Sequence, residues 1–394
     1  MVISKNILPI HRRFDVSFTH GDGAYLFAGN KKYLDFGAGI AVNSLGHCHP
    51  ELVKAITEQA QKLWHVSNLY NIKELNNFAE KLVGQTFADY VFFCNSGAEA
   101  VECAIKMIRN HFYNLDQPYR YRIITFSGAF HGRTMATISA AGKEKYIQSF
   151  EPTLPGFDNV EFGNIEAVKK AITKNTAGIL IEPIQGEEGI RVCDQEFIRD
   201  LRKVCDDNDL LLAFDEVQCG VGRTGHLFGY EHFGVNPDII SSAKAIGGGF
   251  PLGACLATKH ASKMGIGTHG TTYGGNPLAM AVANAVLDEM LKPGFFKNVQ
   301  DQGQYLKDGL EKLKTKFPKM IDEIRGVGLM IGVKINEKFV NLDVVSELIN
   351  QQLLTVPAGE NVIRLLPPLN ITKDHCEEAL SKFDKALTKL STIS

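Results

Sequence analysis

The sequence predicts an α/β protein: a large domain around a mostly parallel central sheet, with a smaller α+β domain made from both termini. Three observations carry this expectation. From about residue 85 to 257, short apolar runs alternate with amphipathic segments, which is the order of a parallel sheet with crossover helices. After about residue 286 the order changes to a long helix, several strand-like runs and a last helix. The 394 residues, 44% hydrophobic and 22% charged, suffice for two domains and a large core.

Taken in order, Ala24–Ala28 and Lys32–Phe36 read as a hairpin of the small domain. Tyr90–Cys94, Arg122–Phe126, Gly178–Glu182, Leu210–Asp215 and Asp238–Ser242 read as buried strands, each a short apolar run. Glu99–Phe112, Ile165–Thr173 and Glu196–Asn208 have the apolar spacing of helices. Asn276-Pro277 joins a capping side chain to a proline at the first helical position. A helix is expected from there through Ala279, Ala283 and Leu287, stopping before Pro293-Gly294. Helix Val299–Lys316, strands at Gly328–Ile335, Leu354–Val356 and Val362–Leu366, and a helix from about Lys373 complete the reading. The expected division is 1–50 and 286–394 for the small domain and 51–285 for the large one.

Composition excludes several functions. A net charge of −2 offers no basic footprint for nucleic acid or a membrane surface. No stretch approaches the roughly 20 apolar residues of a membrane span, and Met1-Val2-Ile3-Ser4-Lys5-Asn6 lacks the apolar segment of a secretory leader. Eight scattered cysteines, none spaced C-x-x-C, suit a reducing compartment. A cytoplasmic location is therefore expected. His47-Cys48-His49 is not expected to bind metal, because adjacent residues rarely converge on one ion. Gly265-Ile266-Gly267-Thr268-His269-Gly270 matches a dinucleotide fingerprint, but loop-like sequence follows where a helix is required. Ser241-Ser242-Ala243-Lys244 matches an acyl-serine motif whose companion motifs are missing. Gly247-Gly248-Gly249 lacks the Lys-Ser/Thr of a P-loop and reads as a tight turn.

Four other segments point to one chemistry. Lys244 stands at a strand end before a glycine run, where desolvation would leave its amine free as nucleophile and base. Asp215 closes the apolar run Leu210–Phe214, where a carboxylate needs a positive partner such as a protonated ring nitrogen. Ser96, Gly97 and Ala98 open a helix after a strand, and free N–H groups there suit a phosphate. Phe130 could stack on a ring, and Arg133 could clamp a substrate carboxylate. Lysine, acid, phosphate cradle and flat group are the four supports that pyridoxal 5′-phosphate (PLP) requires.

Beyond these residues, the chain resembles the class III PLP-dependent aminotransferases. The likeness rests on Asn95–Ala100, Phe130–Arg133, Glu182–Glu187, Asp215–Gln218, Lys244 and His269–Pro277 in that order, and runs from about Phe14 to Leu369. Gly37–His47 and Gly220–Gly225 bring it nearest to the members that act on acetylornithine. The resemblance implies fold type I of PLP enzymes and a homodimer with shared active sites. It implies that Lys244 carries the cofactor, Asp215 partners its ring nitrogen, and Gln218 donates to its phenolic oxygen. Val217 would pack on the ring face opposite Phe130, and Gly97 and Ala98 would hold the phosphate, helped by Thr272 of the neighbouring subunit. For substrates, acetylornithine and 2-oxoglutarate or glutamate, it implies Arg133, Thr271, Arg364 and Glu187. Glu187 would pair with Arg364 until glutamate displaces it, since an unpaired buried arginine is costly. His11, before Arg12-Arg13-Phe14, stands where many relatives have tyrosine, which bears on fine specificity. Donors such as ornithine, succinylornithine, succinyldiaminopimelate or 4-aminobutyrate, or a non-catalytic homologue, remain alternatives.

Overall fold

The computed structural model describes residues 4–392, so the first three residues of the opening stretch lie outside the described residues. A seven-stranded sheet forms its centre. Its spatial order is Tyr90–Cys94, Gly253–Ala257, Ile239–Ala243, Leu211–Asp215, Thr176–Ile181, Arg122–Phe126 and Phe157–Val160. Six strands run the same way; Gly253–Ala257 is antiparallel to both neighbours. The inner strands Thr176–Ile181, Leu211–Asp215 and Ile239–Ala243 are buried along their whole length, which explains their unbroken apolar runs.

The five strands and three helices expected around this sheet are present, with ends shifted by at most two residues and Tyr90–Cys94 and Arg122–Phe126 not at all. Two strands had no expectation. Gly253–Ala257 (Gly-Ala-Cys-Leu-Ala) contains no β-branched residue, and Phe157–Val160 is a short edge strand interrupted by Asp158-Asn159. Asn276 Oδ1 accepts from Ala279 N at 2.9 Å, and the helix Pro277–Met290 follows, as the cap and proline require.

Two further sheets follow, and both ends of the chain meet in the first of them. His20–Asp22, Tyr25–Ala28 and Lys31–Asp35 form an antiparallel ribbon, and Leu353–Leu354 adds to it in parallel. Ile321–Val327, Met330–Ile335, Val362–Leu365 and Val356–Pro357 form the other. The run Leu354–Val356, expected as one strand, is therefore two: Leu353–Leu354 serves the first sheet and Val356–Pro357 the second, with Thr355 as the crossing point. The helix expected at Val299 begins earlier, at Phe295 after Gly294. Among the described residues, no helix is long and apolar enough to cross a membrane.

Candidate active site

The carboxyl ends of the parallel strands, except the edge strand Phe157–Val160, point to one cavity of about 340 Å³, the place where open α/β sheets bind ligands. It is lined by Ser96, Gly97 and Ala98 after the first strand, Phe130 and His131 after Arg122–Phe126, and Glu182 after Thr176–Ile181. Asp215, Val217 and Gln218 follow Leu211–Asp215, and Lys244 follows Ile239–Ala243. Eight of the thirteen residues singled out in the sequence thus line one cavity.

Lys244 is the first residue of a short turn and has φ +52°, the left-handed region that a lysine enters only when its surroundings hold it there. Burial pushes its amine pKa down. Glu187 opposes that shift and Arg364 adds to it. Asp215 is 3% exposed. Its Oδ1 accepts from Val217 N at 3.0 Å and its Oδ2 lies 2.7 Å from His131 Nδ1. Burial works against a charged His131, but the hydrogen bond and charge of Asp215 outweigh it and raise the imidazole's pKa. Glu182 accepts from Phe130 N at 2.8 Å. Burial, then the charge of Asp215, hold its carboxyl well above the usual carboxylate range. His131 and Glu182 had no expected role. Both stand inside motifs quoted from the sequence, one residue from a strand end or from Phe130, and that position was the available signal.

The phosphate cradle is built by close approach. A Cβ on Gly97 would lie 2.7 Å from Val217 Cγ1, so only glycine lets the helix Gly97–Tyr113 begin this near the Asp215–Val217 loop. Ser96 Oγ caps that helix by accepting from Glu99 N at 3.3 Å. The helix N-terminus lines the cavity, and its free N–H groups favour an anion.

Beside the cavity, Arg364 Nη1 donates to Glu187 Oε1 at 2.6 Å and to Gln218 Oε1 at 3.2 Å, and Nη2 donates to Glu187 Oε2 at 3.3 Å. Arg364 is 1% exposed, while the Glu187 side chain is 27% exposed. Burial would raise the Glu187 pKa, but Arg364 outweighs it and keeps the carboxylate ionised. Arg133 is exposed, with its guanidinium 3.8 Å from the Tyr146 ring centre and 5.6 Å from that of Phe130. No ion pair holds it among the described residues. Thr271 Oγ1 accepts from Gly274 N at 3.1 Å and lies 3.4 Å from Asn95 Nδ2. Thr272 is exposed and outside this cavity, as is His11.

A base at the end of one strand, a buried carboxylate lining the cavity, an anion-binding helix end and a flat side chain fit PLP: Lys244, Asp215, the Gly97–Ala98 cradle, and Phe130. Comparison with known proteins agrees. The aminotransferase class III family matches residues 9–387. The chain is 55% identical over 381 residues to acetylornithine aminotransferase of Agrobacterium fabrum, covering 96% of this chain and 95% of that one. It is 53% identical over 389 residues to acetylornithine aminotransferase 1 of Bradyrhizobium diazoefficiens, covering 98% and 96%. Among solved structures, N-acetylornithine aminotransferase from Stenotrophomonas maltophilia is 37% identical with a TM-score of 0.85, covering 96% of this chain and 97% of its own. Ornithine aminotransferase from Toxoplasma gondii is 30% identical with a TM-score of 0.95, covering 99% and 94%. The chain belongs to the class III aminotransferases, enzymes that work with pyridoxal 5′-phosphate.

Proposed function

We propose that this enzyme transfers the δ-amino group of N²-acetyl-L-ornithine to 2-oxoglutarate, giving N-acetyl-L-glutamate 5-semialdehyde and L-glutamate, a step of arginine biosynthesis. The observation that carries the reading is the Arg364–Glu187 pair. An arginine this buried needs a counter-charge. Glu187 supplies it while acetylornithine, whose δ-amine has no carboxylate beside it, is bound. The α-carboxylate of glutamate replaces Glu187 in the other half-reaction. Glu187, being partly exposed, has room to leave. Arg133, exposed and unpaired, is the clamp for the carboxylate common to both substrates. Thr271 adds a hydroxyl near Asn95. The near relatives named acetylornithine aminotransferase support this donor over ornithine.

PLP, when bound, supplies an electron sink for the carbon that loses its proton. The protein does the rest. Lys244 Nζ would hold the cofactor through its aldehyde and, as a free amine, would be the base that moves a proton at the substrate carbon. Asp215, held in place by His131 and Val217 N, would partner the ring nitrogen. Gln218 would donate to the phenolic oxygen. Gly97 and Ala98, with Ser96 as cap, would hold the phosphate.

A homodimer in which Thr272 completes the partner's phosphate site is part of the same reading. Thr272 is exposed, and large exposed apolar residues lie near it in the chain and elsewhere on the surface: Ile266, Tyr273, Trp64, Leu69 and Tyr70. Such residues call for a covering partner. The division at residues 50 and 285 is supported by the ribbon that joins the N-terminal strands to Leu353–Leu354. Eight free cysteines support a reducing, cytoplasmic setting.

The test is to mix the PLP-loaded enzyme with N²-acetylornithine alone and follow its visible absorption. Bleaching that 2-oxoglutarate reverses is expected. If only glutamate bleaches the band, the class stands and the donor assignment falls.

A further inference from the structure

A second cavity of about 190 Å³ lies outside the active site, lined by Cys103, Met107, Cys255, Met264 and His269 among others. One wall is the loop carrying exposed Gly265 and Thr268, the segment that mimics a dinucleotide fingerprint. Cys103 comes from the helix Gly97–Tyr113, and Cys255 from the antiparallel strand Gly253–Ala257.

The polar groups around Cys103 form a directed chain. Lys106 Nζ lies 2.7 Å from His269 Nδ1. An ammonium can only donate, so Nδ1 accepts and the ring proton sits on Nε2. His269, Cys103 and Cys255 line the same cavity, so the ring's Nε2 proton and the Cys255 thiol stand on the side of the Cys103 sulfur. Its neighbour Cys255 is the largest influence and draws the Cys103 thiol below the ordinary cysteine range. Burial opposes this, and His269 and Lys106 add to it. Cys255 moves the other way. The nearby Cys94 lacks these donors. Its thiol meets Ser96 O at 3.5 Å, and burial pushes it up to about 12.

We propose that Cys103 is a modification site for small peroxides, activated by Lys106 and His269, with Cys255 as its resolving thiol. The Cys103 thiolate attacks one oxygen of hydrogen peroxide. The O–O bond breaks, hydroxide leaves, and Cys103 becomes a sulfenic acid. The Cys255 sulfur then attacks Cys103, water leaves with the Cys255 proton, and a disulfide joins helix to strand. In sum, two thiols are oxidised and one peroxide is reduced to two waters. Nothing in the transamination chemistry uses these residues.

The test uses the PLP-loaded enzyme at neutral pH with limiting hydrogen peroxide, followed by alkylation of remaining thiols and peptide mass spectrometry. A Cys103–Cys255 cross-link is expected, reversed by a thiol reductant and formed roughly tenfold faster than exposed Cys48 is oxidised. In Cys255→Ser, a cyclic dione probe should trap the sulfenic acid on Cys103. Lys106→Gln should slow the reaction several-fold while cofactor loading is kept. Oxidation of Cys48 ahead of Cys103, or a cross-link from Cys103 to Cys94 instead, would overturn the proposal in the wild-type protein alone.

Discussion

The floor of the active-site cavity and its rim are held by different kinds of contact. On the floor, Asp215 is locked between His131 and Val217 N, Glu182 is tied to Phe130 N, and Gly97 abuts Val217. Asp215, His131 and Glu182 are buried, and their partners lie in the loops that follow the sheet's strands. At the rim, Arg133 lies exposed on an aromatic face, and Arg364 is held by a carboxylate that is itself partly open to solvent. Fixed partners preorganise charge where it develops in every turnover. Exchangeable partners suit a site that must accept two different substrates in alternation.

The largest effect should come from the floor. Lys244→Ala is expected to lower turnover by at least about a thousandfold, with far-ultraviolet circular dichroism unchanged. Normal turnover in this variant would end the assignment. Asp215→Asn should cost on the order of a hundredfold or more in kcat, with an altered pH dependence of the cofactor's visible band, because His131 loses its counter-charge. At the rim, Arg364→Ala should split the two half-reactions. Single-turnover rates with glutamate should fall about tenfold to a hundredfold more than those with acetylornithine. An equal fall in both would refute the exchange of Glu187 for substrate.

The smallest effect concerns stability and pH. Burial and Asp215 raise the Glu182 pKa from 4.5 to about 8, so the folded protein keeps a proton that the unfolded chain has released. By linkage, Glu182 makes the fold progressively less stable as pH rises between those values. Glu182→Gln, which keeps an acceptor for Phe130 N, should flatten that decline in a melting-temperature series across pH. Parallel curves for variant and wild type would show that Glu182 is already ionised.

The floor was also the more legible region in the sequence. Lys244, Asp215 and Gly97 sit at strand ends that apolar runs announce, and buried parallel strands leave few other places for a charge. What escaped notice there was partnership. The His131–Asp215 contact joins residues 84 apart, and nothing local in the sequence encodes it. At the rim Arg133 was read from its own segment, but Arg364 and Glu187 only through resemblance, since Arg364 on a short strand and Glu187 in a hairpin loop are 177 residues apart. The antiparallel strand Gly253–Ala257 was invisible because its small residues pack between strands without any β-forming signature. The split at Thr355 was hidden for a related reason: five residues serve two sheets, and strand propensity cannot tell one neighbour from another.

The ribbon shared by the two ends of the chain also sets a timetable for synthesis. Lys31–Asp35 pairs with Leu353–Leu354, and Tyr25 donates to Glu378, 353 residues further along. On the ribosome the first hairpin therefore emerges long before its partners and waits with an open strand edge while the large sheet is made. An open edge invites pairing with another nascent chain. Lys31 and Lys32, both exposed, place two positive charges at the start of that edge and so guard it during the wait.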